Sequence, residues 1–180
     1  DLQTANESLR HASRHDGLTG LANRAYLVEH LGALLNQCKK QHQRAAALFV
    51  DVDKFKAVND QHGHEAGDAL LMALAKRLLA SVRASDFVSR LGGDEFIVVL
   101  SPLTDMREVD ACVMRIQEAL APSLTLNDGT ELNMSVTIGA AVYPDHAQNL
   151  DELIRSADAA MYTAKTHRRG SFAAFRRNST

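Results

Sequence analysis

Tryptophan is absent, and aromatic residues make up only 5% of the 180-residue chain. That scarcity, with no aromatic sheet pattern, argues against a domain that stacks unpaired bases on strands. Net charge is −2, so no basic field draws a polyanion and nucleic acid is not an expected partner. The two cysteines, Cys38 and Cys112, lie far apart without CxxC spacing. That excludes a disulfide framework and reads as reduced thiols in a cytoplasmic setting. His62 and His64 flank Gly63 with no cysteine nearby, which argues against a zinc site. No apolar run reaches the about 18 residues of a membrane-crossing helix, and no signal-peptide pattern is visible. The chain opens on Asp1, which reads as a piece of a longer protein. A sensor or membrane anchor would then lie outside it.

What is present is ordinary for a single folded domain: 46% apolar and 23% charged residues, enough to bury a sizeable core. Leu2, Ala5, Leu9 and Ala12 recur at helical spacing. They read as an amphipathic helix, a coiled-coil tail or a solvated linker over 1–15, with the domain over 16–180. Leu27, Leu31, Leu34 and Cys38 mark a helix over 24–42, and Ala46 to Val52 is a continuous apolar run suited to a central strand buried on both faces. A short helix or turn follows over 54–62. Gly63 and Gly67 then break the chain before a helix on Leu71, Leu74, Leu78 and Val82. Val109, Val113, Ile116 and Leu120 mark a helix closed by Pro122; Leu132 to Tyr143 reads as one strand with a bulge at Gly139. Leu150, Leu153, Ile154, Ala157 and Met161 line a last helix, and 172–175 suits an edge strand. The mixture argues an α+β fold with helices packed on a mostly antiparallel sheet.

Two acidic stretches stand out. Arg90-Leu91-Gly92-Gly93-Asp94-Glu95-Phe96 lies between apolar runs and reads as a hairpin turning at Gly92-Gly93. By itself the acidic pair could simply solvate that turn. Phe49-Val50-Asp51-Val52-Asp53 is a second strand ending in carboxylates. Clustered carboxylates at one sheet edge repel unless a cation neutralises them, and oxygen-only ligands suit a hard ion such as magnesium. Asp53 is better placed to cap the helix after it than to bind an ion.

These stretches, together with Asp16-Gly17-Leu18-Thr19-Gly20-Leu21-Ala22-Asn23-Arg24, the run from Lys54 to Asp60, Gly63-His64-Glu65-Ala66-Gly67-Asp68 and Ala157 to Lys165, resemble the GGDEF-domain diguanylate cyclases in order and spacing. The resemblance spans about Asp16 to Phe175. It implies a five-stranded sheet like the palm of polymerases and nucleotidyl cyclases. It also implies a metal-dependent, bacterial-signalling activity: condensation of two GTP into cyclic di-GMP with loss of two pyrophosphates. Asp51, Asp94 and Glu95 are the implied ligands of Mg2+ (or Mn2+), with the Val52 carbonyl joining them. Glu95 would alternatively orient water or take the proton from the attacking hydroxyl. Lys56, with the amides at the following helix start, and Lys165 and Arg169 would hold phosphates. Lys165 and Arg169 could equally complete a helix C-terminus. Where the family has Gly-Arg-Asn this chain reads Arg168-Arg169-Gly170, which leaves Arg169 less secure. Asn59 and Asp68 would read guanine, although their spacing also suits a turn residue and an N-cap. Arg83-Ala84-Ser85-Asp86 is placed like the family's inhibitory product site, with Arg115 a weaker contributor; an exposed Arg–Asp pair is the ordinary alternative. The partners implied are GTP, cyclic di-GMP, a weak homodimer and an upstream sensor domain. The competing reading is a catalytically silent GTP- or cyclic di-GMP-binding regulatory domain.

Overall fold

The apolar run forms β1 (Arg44–Val52), buried throughout after Arg44. β3 (Glu95–Leu103) and β6 (Val136–Tyr143) flank it antiparallel, and β2 (Phe87–Gly92) and β7 (Phe172–Ala174) complete a sheet in the order β2-β3-β1-β6-β7. β2 joins β3 antiparallel, and β7 joins β6 in parallel. The computed structural model describes residues 1–175; residues 176–180 of the expected domain lie outside that description.

Side chains alternate across β1. Ala46, Leu48, Val50 and Val52 enter a core with α4 (His64–Ala80) and α5 (Arg107–Leu120). Ala45, Ala47 and Phe49 enter a second core with α2 (Arg24–Gln41) and α6 (Leu150–His167). Helices therefore cover both faces, which is why β1 shows no polar alternation. Each fully buried Leu or Val in these cores contributes about 1.5–3 kcal/mol through apolar burial. Asn23 and Asn149 accept the Tyr26 and Glu152 amides at the starts of α2 and α6. α1 (Leu2–Arg14) buries no residue, with Leu2 90% and Leu9 70% exposed. α3 (Phe55–His62) precedes α4, and β4 (Leu124–Thr125) pairs with β5 (Glu131–Leu132) in a small separate hairpin. No helix among the described residues is long and apolar enough to cross a membrane.

Several local expectations are corrected. The β2–β3 turn falls on Gly93-Asp94, since Gly92 still pairs with Glu95; the register shifts between Arg90 and Gly92. The strand expected over Leu132 to Tyr143 is divided between β5 and β6. β5 pairs with β4 in the small hairpin while β6 joins the main sheet, and the Asp53 amide donates to the Ser135 carbonyl just before β6. Gly139 is no bulge: it pairs in regular register with Phe49. It is small because α6 lies directly on it; a Cβ there would sit 2.0 Å from Met161 N and 2.3 Å from Ala157 O. Gly67 does not break the chain but lies inside α4, where a Cβ would meet Asn59 Oδ1 at 1.9 Å. On α2 the buried residue is Leu35, with Leu34 only partly covered.

Candidate active site

Asp51 continues the odd-numbered series of β1, so its side chain falls on the α6 side of the sheet. There it is buried and ion-paired with Lys165. The hairpin brings the second acid alongside: Asp51 pairs with Glu95 in the ladder, and the Val52 amide donates to the Asp94 carbonyl at 3.2 Å. Burial, and then the Asp94 charge, push the Asp51 carboxyl up to about 6 against the opposing pull of Lys165. Glu95 is also raised, first by burial and then by Asp158 and Asp94, with Arg24 and Lys165 opposing. Among the described residues no three His, Cys, Asp or Glu side chains gather into a ready metal cage. Asp94 lies close enough to act electrostatically on both Asp51 and Glu95, and Glu95 is the cross-strand neighbour of Asp51. Two crowded carboxylates at a strand end still fit a magnesium-like ion, which takes few protein ligands and completes its shell with phosphate and water.

Asp53 does not cap α3. Lys54 occupies that position, in the left-handed region at φ 55°. Asp53 instead accepts hydroxyl hydrogen bonds from Ser135 and Thr137, both 2.6 Å, and the Gly170 amide donates to Thr137 Oγ1 at 3.1 Å. This chain of bonds ties the segment leaving α6 to the end of β1. Arg90 braces the hairpin from the other side. Its Nη1 contacts both Asp16 carboxylate oxygens at 3.1 Å, and its Nε and Nη2 donate to the Gly93 carbonyl at 3.1 and 2.8 Å. Burial works to raise the Asp16 carboxyl, but the Thr19 hydroxyl and amide and the Arg90 guanidinium outweigh it and hold it low.

Asn59 lies at the α3–α4 contact with its buried Oδ1 lacking a hydrogen-bond partner, an acceptor oriented by the absence of a side chain at Gly67. Asp68 follows Gly67 and is exposed in the body of α4; the helix is capped at Gly63, so Asp68 is not an N-cap. Lys56 is exposed in the first turn of α3, and Arg169 is exposed in the turn after α6.

The second group of candidates also converges. Arg83, Asp86 and Arg115 line one cavity of about 160 Å³ with Leu100, Glu108 and Ala111. This is more than a surface pair. The Asp86 side chain is 0% exposed and accepts Arg83 Nε at 3.3 Å, Arg83 Nη2 at 3.2 Å and the Ser101 amide at 3.3 Å. Arg115 donates through Nε to the Ser81 carbonyl at 3.0 Å.

A family model described as the diguanylate cyclase GGDEF domain matches residues 13–171. The chain belongs to the GGDEF diguanylate cyclase family. It is 42% identical over 170 residues to the diguanylate cyclase TpbB of Pseudomonas aeruginosa; the match covers 94% of this chain but only 39% of that protein. A solved structure of TpbB from P. aeruginosa comprising only its GGDEF domain superposes with a TM-score of 0.88 at 41% identity, covering 90% of this chain and 94% of that one. The coiled coil and GGDEF domain of DgcB from Caulobacter crescentus, solved with c-di-GMP, gives a TM-score of 0.89 at 25% identity, covering 96% and 91%.

Within this GGDEF domain, Asp16, Arg24, Arg90 and Asp158 lie inside the matching stretches, where sequence alone gives them no role. Ser135 and Thr137 were missed outright. Arg90 to Asp16 spans 74 residues and Thr137 to Asp53 spans 84, so no local spacing announces either contact.

Proposed function

We propose that this GGDEF domain condenses two GTP molecules into cyclic di-GMP with release of two pyrophosphates. The observation that carries this reading is the buried Asp51 beside Asp94 at a strand end, with Lys165 opposite. In each step a ribose 3′-oxygen forms a bond to an α-phosphorus, the α–β bridging bond breaks, and pyrophosphate leaves. Asp51, Asp94 and the Val52 carbonyl would hold a divalent ion, Mg2+ or Mn2+, which would supply neutralisation of phosphate charge and a lowered pKa at the attacking hydroxyl. Lys165 leaves Asp51 to meet phosphate. Lys56 and the first amides of α3 receive the terminal phosphates, with Arg169 at the site's margin. Asn59 and Asp68 accept from and donate to the guanine edge, which adenine does not match. Glu95, raised by burial and Asp158, stands where the hydroxyl proton is released.

One site with one guanine reader and one acid pair holds one GTP, so two domains must face each other near two-fold symmetry. The polar site edge and the fully exposed α1 favour a weak homodimer, held together in the parent protein by an upstream sensor acting through α1. The Arg83–Asp86–Arg115 cavity is the product-inhibition site. The test is incubation with GTP and Mg2+, reading pyrophosphate and the cyclic dinucleotide. Asp94→Ala should remove both with unchanged circular dichroism. A wild-type chain that binds GTP yet yields neither product would favour the silent regulatory reading.

A further inference from the structure

The cavity proposed for product contains an acid as well as its arginines. Arg83 directs Nε and Nη2 at Asp86, and Nη2 also reaches the Pro102 carbonyl at 3.3 Å. Nη1 is the remaining edge, and it faces Glu108 Oε1 at 3.7 Å. Glu108 is not a loose surface carboxylate. It accepts the Thr104 amide and the Thr104 hydroxyl, both at 3.0 Å, and its side chain is only 31% exposed. The Thr104 amide bond, with the Arg83 charge adding to it, lowers the Glu108 carboxyl.

We infer that Glu108 is an internal competitor for the ligand-facing edge of Arg83 and sets how much cyclic dinucleotide is needed for product inhibition. The inference rests on the product-site reading above. A phosphodiester that approaches Arg83 and Arg115 must break or outbid the Glu108 pairing and then lie close to a fixed negative charge. Asp86 does not act in this way. Its charge is buried and consumed by Arg83 and the Ser101 amide, so it orients the guanidinium, whereas Glu108 stands at the partly exposed rim. Repulsion between two unit charges about 5 Å apart, at an effective dielectric of about 20–60 and roughly halved by screening at physiological salt, corresponds to roughly a threefold to twentyfold weakening of affinity.

Calorimetric titration of cyclic di-GMP into wild type, Arg83→Ala and Glu108→Gln tests it. Glutamine keeps the shape and can still meet Thr104, and matched thermal unfolding checks that the fold is unchanged. Glu108→Gln should bind roughly threefold to twentyfold more tightly. Its affinity should also fall more steeply with added salt, because in the wild type salt screens the Glu108 repulsion along with the arginine attraction. If the wild type binds in an Arg83-dependent way and Glu108→Gln binds equally or more weakly, the competitor role is wrong and the product site stands. If neither wild type nor Glu108→Gln binds, the product-site reading itself falls, and this inference with it.

Discussion

Replacing Gly139 with alanine puts one methyl group into the seam between the sheet and α6. The new Cβ would stand 2.0 Å from Met161 N, 2.3 Å from Ala157 O and 2.6 Å from Met161 Cα. Non-bonded heavy atoms settle at about 3.5 Å, so the helix must back away by roughly 1.5 Å. All three obstructing atoms are helix backbone, so no side-chain rotation relieves the clash. Overpacking typically costs about 1–3 kcal/mol, and a clash that displaces a whole helix belongs at or above the upper end. The seam holds Leu153, Ala157 and Met161, whose contacts loosen together. Lys165 lies one turn beyond Met161, so its pairing with Asp51 shifts with the helix. Urea unfolding should show a midpoint loss equivalent to about 3 kcal/mol with an unchanged slope, and turnover should fall in the folded fraction. Gly32→Ala in α2 is the control: nothing lies within 4 Å of its Cβ, and removing a helical glycine gains about 0.5–1 kcal/mol. A Gly139→Ala protein within about 0.5 kcal/mol of wild type, with normal turnover, would refute the packing argument.

The Asp51 carboxyl, raised from 3.8 to about 6, binds its proton more tightly folded than unfolded. Its stabilising contribution is therefore complete below pH 3.8 and lost as pH rises to about 6. Asp51→Asn should flatten the stability curve in that window and stop dinucleotide formation; an unchanged slope would assign the shift to another group. Gly67→Ala should push the Asn59 carboxamide aside, since the new Cβ would sit 1.9 Å from its Oδ1 and 2.9 Å from its Cγ, with Phe55 Cζ at 3.3 Å. KM for GTP should rise and discrimination against ATP narrow; equal selectivity in wild type and variant would show that Asn59 reads something else. Specific activity should rise with enzyme concentration and rise further with a stable coiled coil fused ahead of Leu2. Activity independent of dilution in a chain that sediments as a monomer contradicts catalysis across two domains.

Much of the fold was legible because burial leaves a periodic trace. β1 carries apolar residues on both faces and is covered on both, and α5 shows Val109, Val113, Ile116 and Leu120 at helical spacing, all buried. The candidate acids Asp51, Asp94 and Glu95 stood out because they sit in short contiguous stretches of a recognisable family. What was not legible depends on what lies across a gap. Gly139 shows in sequence that a side chain is missing, but not that a helix fills the space. Asp53 looks like a cap because its neighbours in sequence start a helix, while its partners Ser135 and Thr137 arrive more than 80 residues later. Asp94 was expected beyond a Gly-Gly turn because the register shift that keeps Gly92 in the strand has no sequence mark.

The sheet order also governs how this chain reaches its native state. β1 is the first strand synthesised and the middle strand of the finished sheet. β3 covers one of its edges early, through the adjacent hairpin. The other edge stays open until β6 has emerged, and the face beneath Asp51 stays open until α6 has followed. Until then a strongly apolar strand presents an unpaired edge, the form most prone to join strands of other molecules. Closing that long loop makes folding slow relative to a helical domain of the same size. Fragments that end before α6 should therefore be insoluble rather than merely inactive, and amino-acid changes that delay β6 docking should lower yield without altering the specific activity of the molecules that fold.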